Sequence, residues 1–322
     1  MRIITGIKIS FANKNLCYKT LAFKFVVYSL FIALFYSLAS SVLIPIINSE
    51  GAKGIIDCFA DIFRKFLTVE NFSFDGQEVS QTLKENTTLL LNFISKMSSK
   101  LIWSAVALTV ALIILTFLNG AWEYVIAVNL NEHMSSIRHA GVINTLLENF
   151  KKASVYGAIK TLALTLYNAV VFSLIYLSIL SLIKIGVVFV LSIIFLIIFV
   201  AIAIRMTITS LMLPYMVCDN KGVKESIKLC FKNNNRQVVV ARFLSYLVMS
   251  ILAYVITLLS SLVTFGIALL VAVPVFTVSF VAIRFIDFYT VHQRKYYITY
   301  DEIYVPKSLR SKDEQLLNDV DI

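Results

Sequence analysis

The chain has 322 residues, of which 59% are hydrophobic and only 15% charged, and its mean hydropathy is +0.83. A soluble domain is about half apolar and a quarter charged, so disordered chains, fibrous repeats and small disulfide scaffolds are excluded and a membrane protein is indicated. The net charge of +10, from 29 Lys plus Arg against 19 Asp plus Glu, would suggest nucleic acid on a soluble domain, so its placement along the chain decides.

A helix needs about 20 mostly apolar residues to cross a bilayer. Charge-free stretches run over Phe25–Ile47, Leu101–Trp122, Thr161–Ile183, Ile185–Ile204 and Phe243–Ile283. The last is too long for one crossing, and Thr264-Phe265-Gly266 divides it as a tight hairpin. Lys184-Ile185-Gly186 divides the third stretch from the fourth in the same way. The runs are apolar on every face, which argues against membrane strands, whose residues alternate. The expected fold is an all-α polytopic transmembrane helix bundle with amphipathic interfacial helices. Its six spans lie at about 22–47, 101–122, 161–183, 185–217, 238–263 and 267–290, in a single membrane domain over 1–322.

In chain order, Arg2, Lys8, Lys14, Lys19 and Lys24 precede the first span with no acidic residue among them. That span, with small residues at Ser37–Ser41, could pass for a signal peptide, but its apolar run continues to Ile47 and reads as a membrane anchor. The outer segment 48–100 follows. Ile55, Ile56, Phe59, Ile62, Phe63, Phe66 and Leu67 recur at helical spacing, with Lys53, Asp57, Asp61, Arg64 and Lys65 opposite. This is an amphipathic helix for the membrane interface or the bundle cap. Asn71 to Ser80 reads as a loop turning at Gly76, and Asn71 and Asn86 stand in glycosylation sequons that carry no weight unless the source is eukaryotic.

Gly141-Val142 and Phe150-Lys151 match Gly222-Val223 and Phe231-Lys232 at a spacing of 81 residues. Gly186 and Gly266 follow, then Ala203-Ile204-Arg205 and Ala282-Ile283-Arg284. The pattern reads as a tandem unit of a basic interfacial helix, a two-span hairpin and an arginine near the exit, with chance similarity as the alternative. The basic N-terminal segment leaves room for a third, diverged copy. Lys151, Lys152, Lys224, Lys228, Lys232 and Arg236 are candidate lipid-headgroup contacts, plain positive-inside signalling being the alternative.

Alternate segments carry 22 of the 29 basic residues, which places both termini on the cytoplasmic side. The two most basic segments, before span one and between spans four and five, are each +5, so the charge is a topology signal and nucleic acid is not an expected partner. Cys17, Cys218 and Cys230 fall inside and Cys58 alone outside, so no structural disulfide is expected. No cofactor or metal site is expected either. His133, His139 and His292 lie outside the spans, the first two read as exposed, and no catalytic motif is present.

Ionisable groups at membrane depth are functional candidates by default. Glu123, Arg205, Arg284 and Asp287 form the candidate membrane-boundary polar site, with Arg284 and Asp287 spaced to pair on one helix face and snorkelling anchors as the alternative role. Pro214 is expected to end the fourth helix and Pro274 to kink the sixth at mid-span. The aromatic segment Tyr296–Tyr300 is β-prone, Val305-Pro306-Lys307 breaks it, and the tail 296–322 is expected to fray.

Leu213-Pro214-Tyr215 closing a span, then Gly222-Val223-Lys224-Glu225-Ser226-Ile227 and Phe231-Lys232, then a hairpin with Pro274 and Tyr289, resembles a known bacterial pattern. It is similar to the six-helix membrane domain of some glycerophosphodiester phosphodiesterases and to related stand-alone bacterial membrane proteins, over roughly residues 100–300. The chain has no soluble phosphodiesterase domain, so the resemblance implies only a lipid-associated or accessory role. The sequence thus leads to a non-enzymatic protein of a bacterial cytoplasmic membrane with lipids, anionic ones included, as partners. A protein partner or second copy is left open. A permease subunit for an anionic solute is the alternative, and an intramembrane enzyme a second one.

Overall fold

The structure, a computed structural model, describes residues 2–67, 76–135, 141–182, 187–232, 236–264 and 266–309. The readings made at Asn71, His139, Lys184, Gly186, Phe265 and residues 310–322 lie outside them. Six helices among the described residues are long and apolar enough to cross a membrane: Lys14–Ile47, Ser98–Ser135, Phe150–Ile179, Ser192–Cys218, Val238–Val263 and Leu269–Val291. The protein is therefore an all-α, multi-pass integral membrane protein. Helices serve here because each satisfies its own backbone hydrogen bonds where no water can.

The chain divides into two compact units. The smaller, Val26–Leu115, holds most of α2 (Lys14–Ile47), all of α3 (Glu50–Leu67) and α4 (Gly76–Lys96), and the first part of α5 (Ser98–Ser135). Gly51 and Gly54 let the α3 backbone approach Asn86 and Leu90 of α4. Ile56 and Phe59 of α3 stay exposed. Gly76 opens α4 rather than turning a loop, so residues 76–80 are helical.

The larger unit holds Met1–Phe25 and Thr116–Ile322. It contains α1 (Arg2–Ala12), α6 (Val142–Glu148), α7 (Phe150–Leu182), α8 (Val187–Thr209), α9 (Met212–Cys218), α10 (Val223–Lys232), α11 (Arg236–Val263) and α12 (Leu269–Val291). A short antiparallel pair follows, β1 (Tyr296–Tyr297) with β2 (Ile303–Tyr304), in the register Tyr296 opposite Tyr304. Its core is α12, buried on nearly every side from Val278 to Tyr289. Against it pack Tyr124–Leu130 of α5 and Leu213 and Tyr215 of α9. The outer helices show the reverse: Leu162, Leu166, Val170 and Phe172 of α7 are exposed, as suits a face turned to hydrocarbon.

The order short helix, long helix, long helix occurs three times, as α1–α2–α5, α6–α7–α8 and α10–α11–α12. In the first copy α3 and α4 are inserted between the long helices. Each short helix carries the same device, at the start of α6 and α10 and in the second half of α1. Ser10, Thr145 and Ser226, all buried, donate their hydroxyls to the carbonyls of Gly6, Gly141 and Gly222 at 3.0, 2.9 and 2.9 Å. Two of the short helices also end alike. The side-chain amides of Asn13 and Asn149 donate to the carbonyls of Ile9 and Thr145, four residues back, at 2.8 and 3.2 Å.

Several sequence expectations change. The fourth span is interrupted: α8 ends at Thr209, and Pro214 sits inside the first turn of α9, where its missing N–H costs no helical bond. Pro274 lies near the start of α12, not at mid-span, and the helix runs on through it. The hairpin near Gly266 stands, with that residue at φ +90° and its N–H on the Ser261 carbonyl at 2.8 Å. The tail is tied down as far as Leu309. Tyr296 and Ile298 are buried, and Lys8 on α1 pairs with Glu302 at 3.0 Å. His133 is not exposed but 5% accessible, with its ring near the Ile298 carbonyl and edge-on to Tyr300.

Candidate functional site

Two glycines set the site. A Cβ on Gly120 of α5 would come within 2.9 Å of Gly157 Cα on α7, and one on Gly157 within 2.9 Å of the Phe117 carbonyl oxygen. The two backbones touch, as small residues allow in membrane helices. Glu123 and Lys160 each stand about one turn further along, and so face each other. Lys160 donates to one oxygen of the Glu123 carboxylate and Arg284 of α12 to the other. The Tyr156 hydroxyl adds a bond to Glu123 at 3.2 Å, and Arg284 reaches the Met206 sulfur on α8 at 3.1 Å. Arg284 is 4% accessible, and a buried charge persists only when paired and hydrogen-bonded.

Arg205 of α8 joins this group at a cavity of about 290 Å³ lined by Glu123, Lys160, Arg205 and Arg284 at its polar end. Arg205 forms no ion pair among the described residues. Much of the remaining wall is apolar, from Ile159, Leu164, Met206 and Met212, and Tyr156, Tyr167 and Thr209 also line it. At the rim, Ala163, Ile208, Ile227 and Phe231 line the cavity while being exposed on the outside of α7, α8 and α10. The cavity wall carries three cations and one carboxylate. Lys24 of α2 lies within electrostatic reach of Lys160 and Glu123 and adds charge of the same sign.

Asp287 belongs elsewhere. Arg284 and Asp287 do not pair, because each meets a better-placed opposite charge on another helix. Asp287, 1% accessible, takes Arg2 of α1 at 3.1 Å and Arg242 of α11 at 3.6 Å, and Arg242 is wholly buried. The neighbouring Tyr246 hydroxyl is buried without a hydrogen-bond partner among the described residues. Neither Arg284 nor Asp287 snorkels outward. Of the four polar candidates read from the sequence, three converge on one cavity and the fourth ties α12 to α1 and α11.

Lys160, Tyr156 and Arg242 were absent from that reading. A search for charge-free runs discards the residue just before each run. Lys24, Lys160 and Arg242 immediately precede the runs starting at Phe25, Thr161 and Phe243. That shared position was the available signal.

Five of the basic candidates are surface groups. Lys151, Lys152, Lys224, Lys228 and Lys232 are exposed on α7 and α10, Lys152 bonding Asn220 at 2.6 Å, and Arg236 opens α11. The buried stripe of α10 is Ser226 and Cys230, while Ile227 and Phe231 are exposed. Burial pushes the Cys230 thiol up to about 11. All four cysteines are free. The described residues contain no grouping of His, Cys, Asp and Glu suited to a metal. Comparison with protein-family models, curated proteins and solved structures finds no match to this chain.

Proposed function

We propose that the protein is a non-enzymatic, lipid-associated component of a bacterial cytoplasmic membrane that holds the headgroup of an anionic lipid in the α5–α7–α8–α12 cavity. One observation carries the reading: Lys160, Arg205 and Arg284 converge on a cavity whose rim is apolar and exposed. Excess positive charge in a low-dielectric site calls for an anion. An exposed apolar rim suits the chains of an amphiphile and not a hydrated ion. The volume, near the low end of the roughly 300–1,000 Å³ usual for small-molecule sites, suits a headgroup whose chains stay outside. The exposed lysines of α7 and α10 favour the same surface, each worth about 1 kcal/mol near anionic headgroups.

The experiment compares purified wild type and Arg205→Ala in nanodiscs of defined composition. Anionic lipid should bind wild type at least tenfold more tightly than phosphatidylcholine, and Arg205→Ala should lose most of that margin. A charge-assisted bond is worth about 1.5–3 kcal/mol, and each 1.4 kcal/mol is tenfold. Equal binding of both lipids defeats the reading. The permease alternative is favoured by the same convergence of Arg205 and Arg284, and predicts anion flux into liposomes that Arg205→Ala abolishes. The lipid reading expects no flux.

A further inference from the structure

We infer that Glu123 is a resident counter-anion in this cavity and that the ligand completing the site is a phosphate monoester, whose dianionic phosphate shares Lys160 and Arg284 with it and engages Arg205. The inference rests on the lipid reading above and specifies its headgroup.

The first support is position. Glu123, Arg205 and Arg284 each lie on the second long helix of their copy, 82 and 79 residues apart. Lys24, Lys160 and Arg242 lie on the first long helix, 136 and 82 apart, each directly before an uncharged run. The three Gly-to-hydroxyl bonds recur at similar spacings, with Gly6, Gly141 and Gly222 separated by 135 and 81 residues. On the second long helix two copies thus carry arginine and the first a carboxylate, and all three side chains line one cavity.

The second support is geometry. The Glu123 carboxylate offers one oxygen to Arg284 and the other to Lys160, the bridging role a phosphate takes between two cations. Arg205 remains at the wall with no ion pair among the described residues, so one cation is left for a second anionic group. The third support is charge. The wall carries two more cations than carboxylates. A phosphate monoester carries about −1.5 to −2 at pH 7 and balances them, whereas a diester carries one charge and leaves a cation uncompensated in low dielectric.

The test uses the full-length protein in phosphatidylcholine nanodiscs, undoped or doped with phosphatidic acid, a lipid monoester, or with phosphatidylglycerol, a diester, and inorganic phosphate in solution. Wild type should bind phosphatidic acid at least tenfold more tightly than phosphatidylglycerol, and inorganic phosphate should fail to compete at equal concentration. Glu123→Gln, which keeps the hydrogen-bonding shape and removes the charge, should bind phosphatidic acid tenfold or more tightly than wild type. Arg205→Ala removes no ion pair and serves if Glu123→Gln does not fold; it should bring the monoester-to-diester ratio near one. Phosphatidylglycerol matching phosphatidic acid, with both above phosphatidylcholine, overturns this inference alone. A folded Glu123→Gln with unchanged or weaker binding, or Arg205→Ala keeping the full ratio, also overturns it. Inorganic phosphate matching phosphatidic acid overturns the lipid source. Equal binding of all three lipids overturns the lipid reading itself.

Discussion

Arg284 is the residue on which the polar cavity hangs. Its guanidinium faces Glu123, Tyr156 and Met206 from three other helices while only 4% accessible. Removing one partner of a buried ion pair leaves the other desolvated and uncompensated, which costs about 3–5 kcal/mol. Arg284→Met should therefore lower stability by that amount in reversible unfolding from detergent micelles. The double variant Arg284→Met with Glu123→Gln should recover part of it, because neither buried charge is then stranded. A double variant as unstable as the sum of the singles would refute the pairing. By contrast Lys8–Glu302 has both partners about half exposed, and Glu302→Ala should change stability by less than about 1 kcal/mol. At this scale the sequence marked Glu123, Arg205, Arg284 and Asp287, and neither Lys160 and Arg242 nor the partners each charge meets. Arg284 and Asp287, three residues apart, looked like a pair. The partners they take are 161 residues away at Glu123 and, for Asp287, on α1 and α11. Intrahelical spacing is visible in one dimension; an interhelical pairing is not.

Helix contacts depend on how closely backbones approach, and the α5–α7 crossing is the tightest constraint on the site. A Cβ at Gly157 would sit 2.9 Å from a backbone oxygen that cannot swing aside. Gly157→Ala should thus force the helices apart, cost about 1–3 kcal/mol as overpacking, and weaken lipid binding by separating Lys160 from Glu123. Gly222→Ala is the control. A Cβ there meets nothing within 4 Å, so the unfolding midpoint should stay level or rise slightly as the unfolded chain loses freedom. Equal midpoints for the two variants would remove Gly157 from the account. The long helices themselves were legible because twenty uncharged apolar residues have few other fates. Their ends were not. The break after Thr209 carries no Gly or Pro signal of its own, and Pro214 misled because proline suits a first helical turn as well as an end. The β1–β2 pair needed Tyr296 and Ile298 to find a buried seat, which no local pattern announces.

The six spans leave a question of sidedness, and charge answers it with a checkable expectation. The segment holding Cys58 carries little net charge for its length, whereas the segment between spans four and five is +5. Basic segments stay in the cytoplasm. Cys58, on α3 and partly accessible, should react with a membrane-impermeant maleimide on intact cells once the other three cysteines are replaced. The native cysteines are poor reporters of the opposite side. Cys230 is 3% accessible, and with its thiol pushed up to about 11 it holds almost no thiolate at neutral pH. Lys224 is exposed on the same helix. Lys224→Cys, in a chain lacking native cysteines, should label only after permeabilisation. The reverse pattern, with Lys224→Cys reactive in intact cells and Cys58 silent, would invert the protein. It would also move the exposed lysines of α10 to the outer leaflet, where the cytoplasmic excess of anionic lipid is no longer available to them.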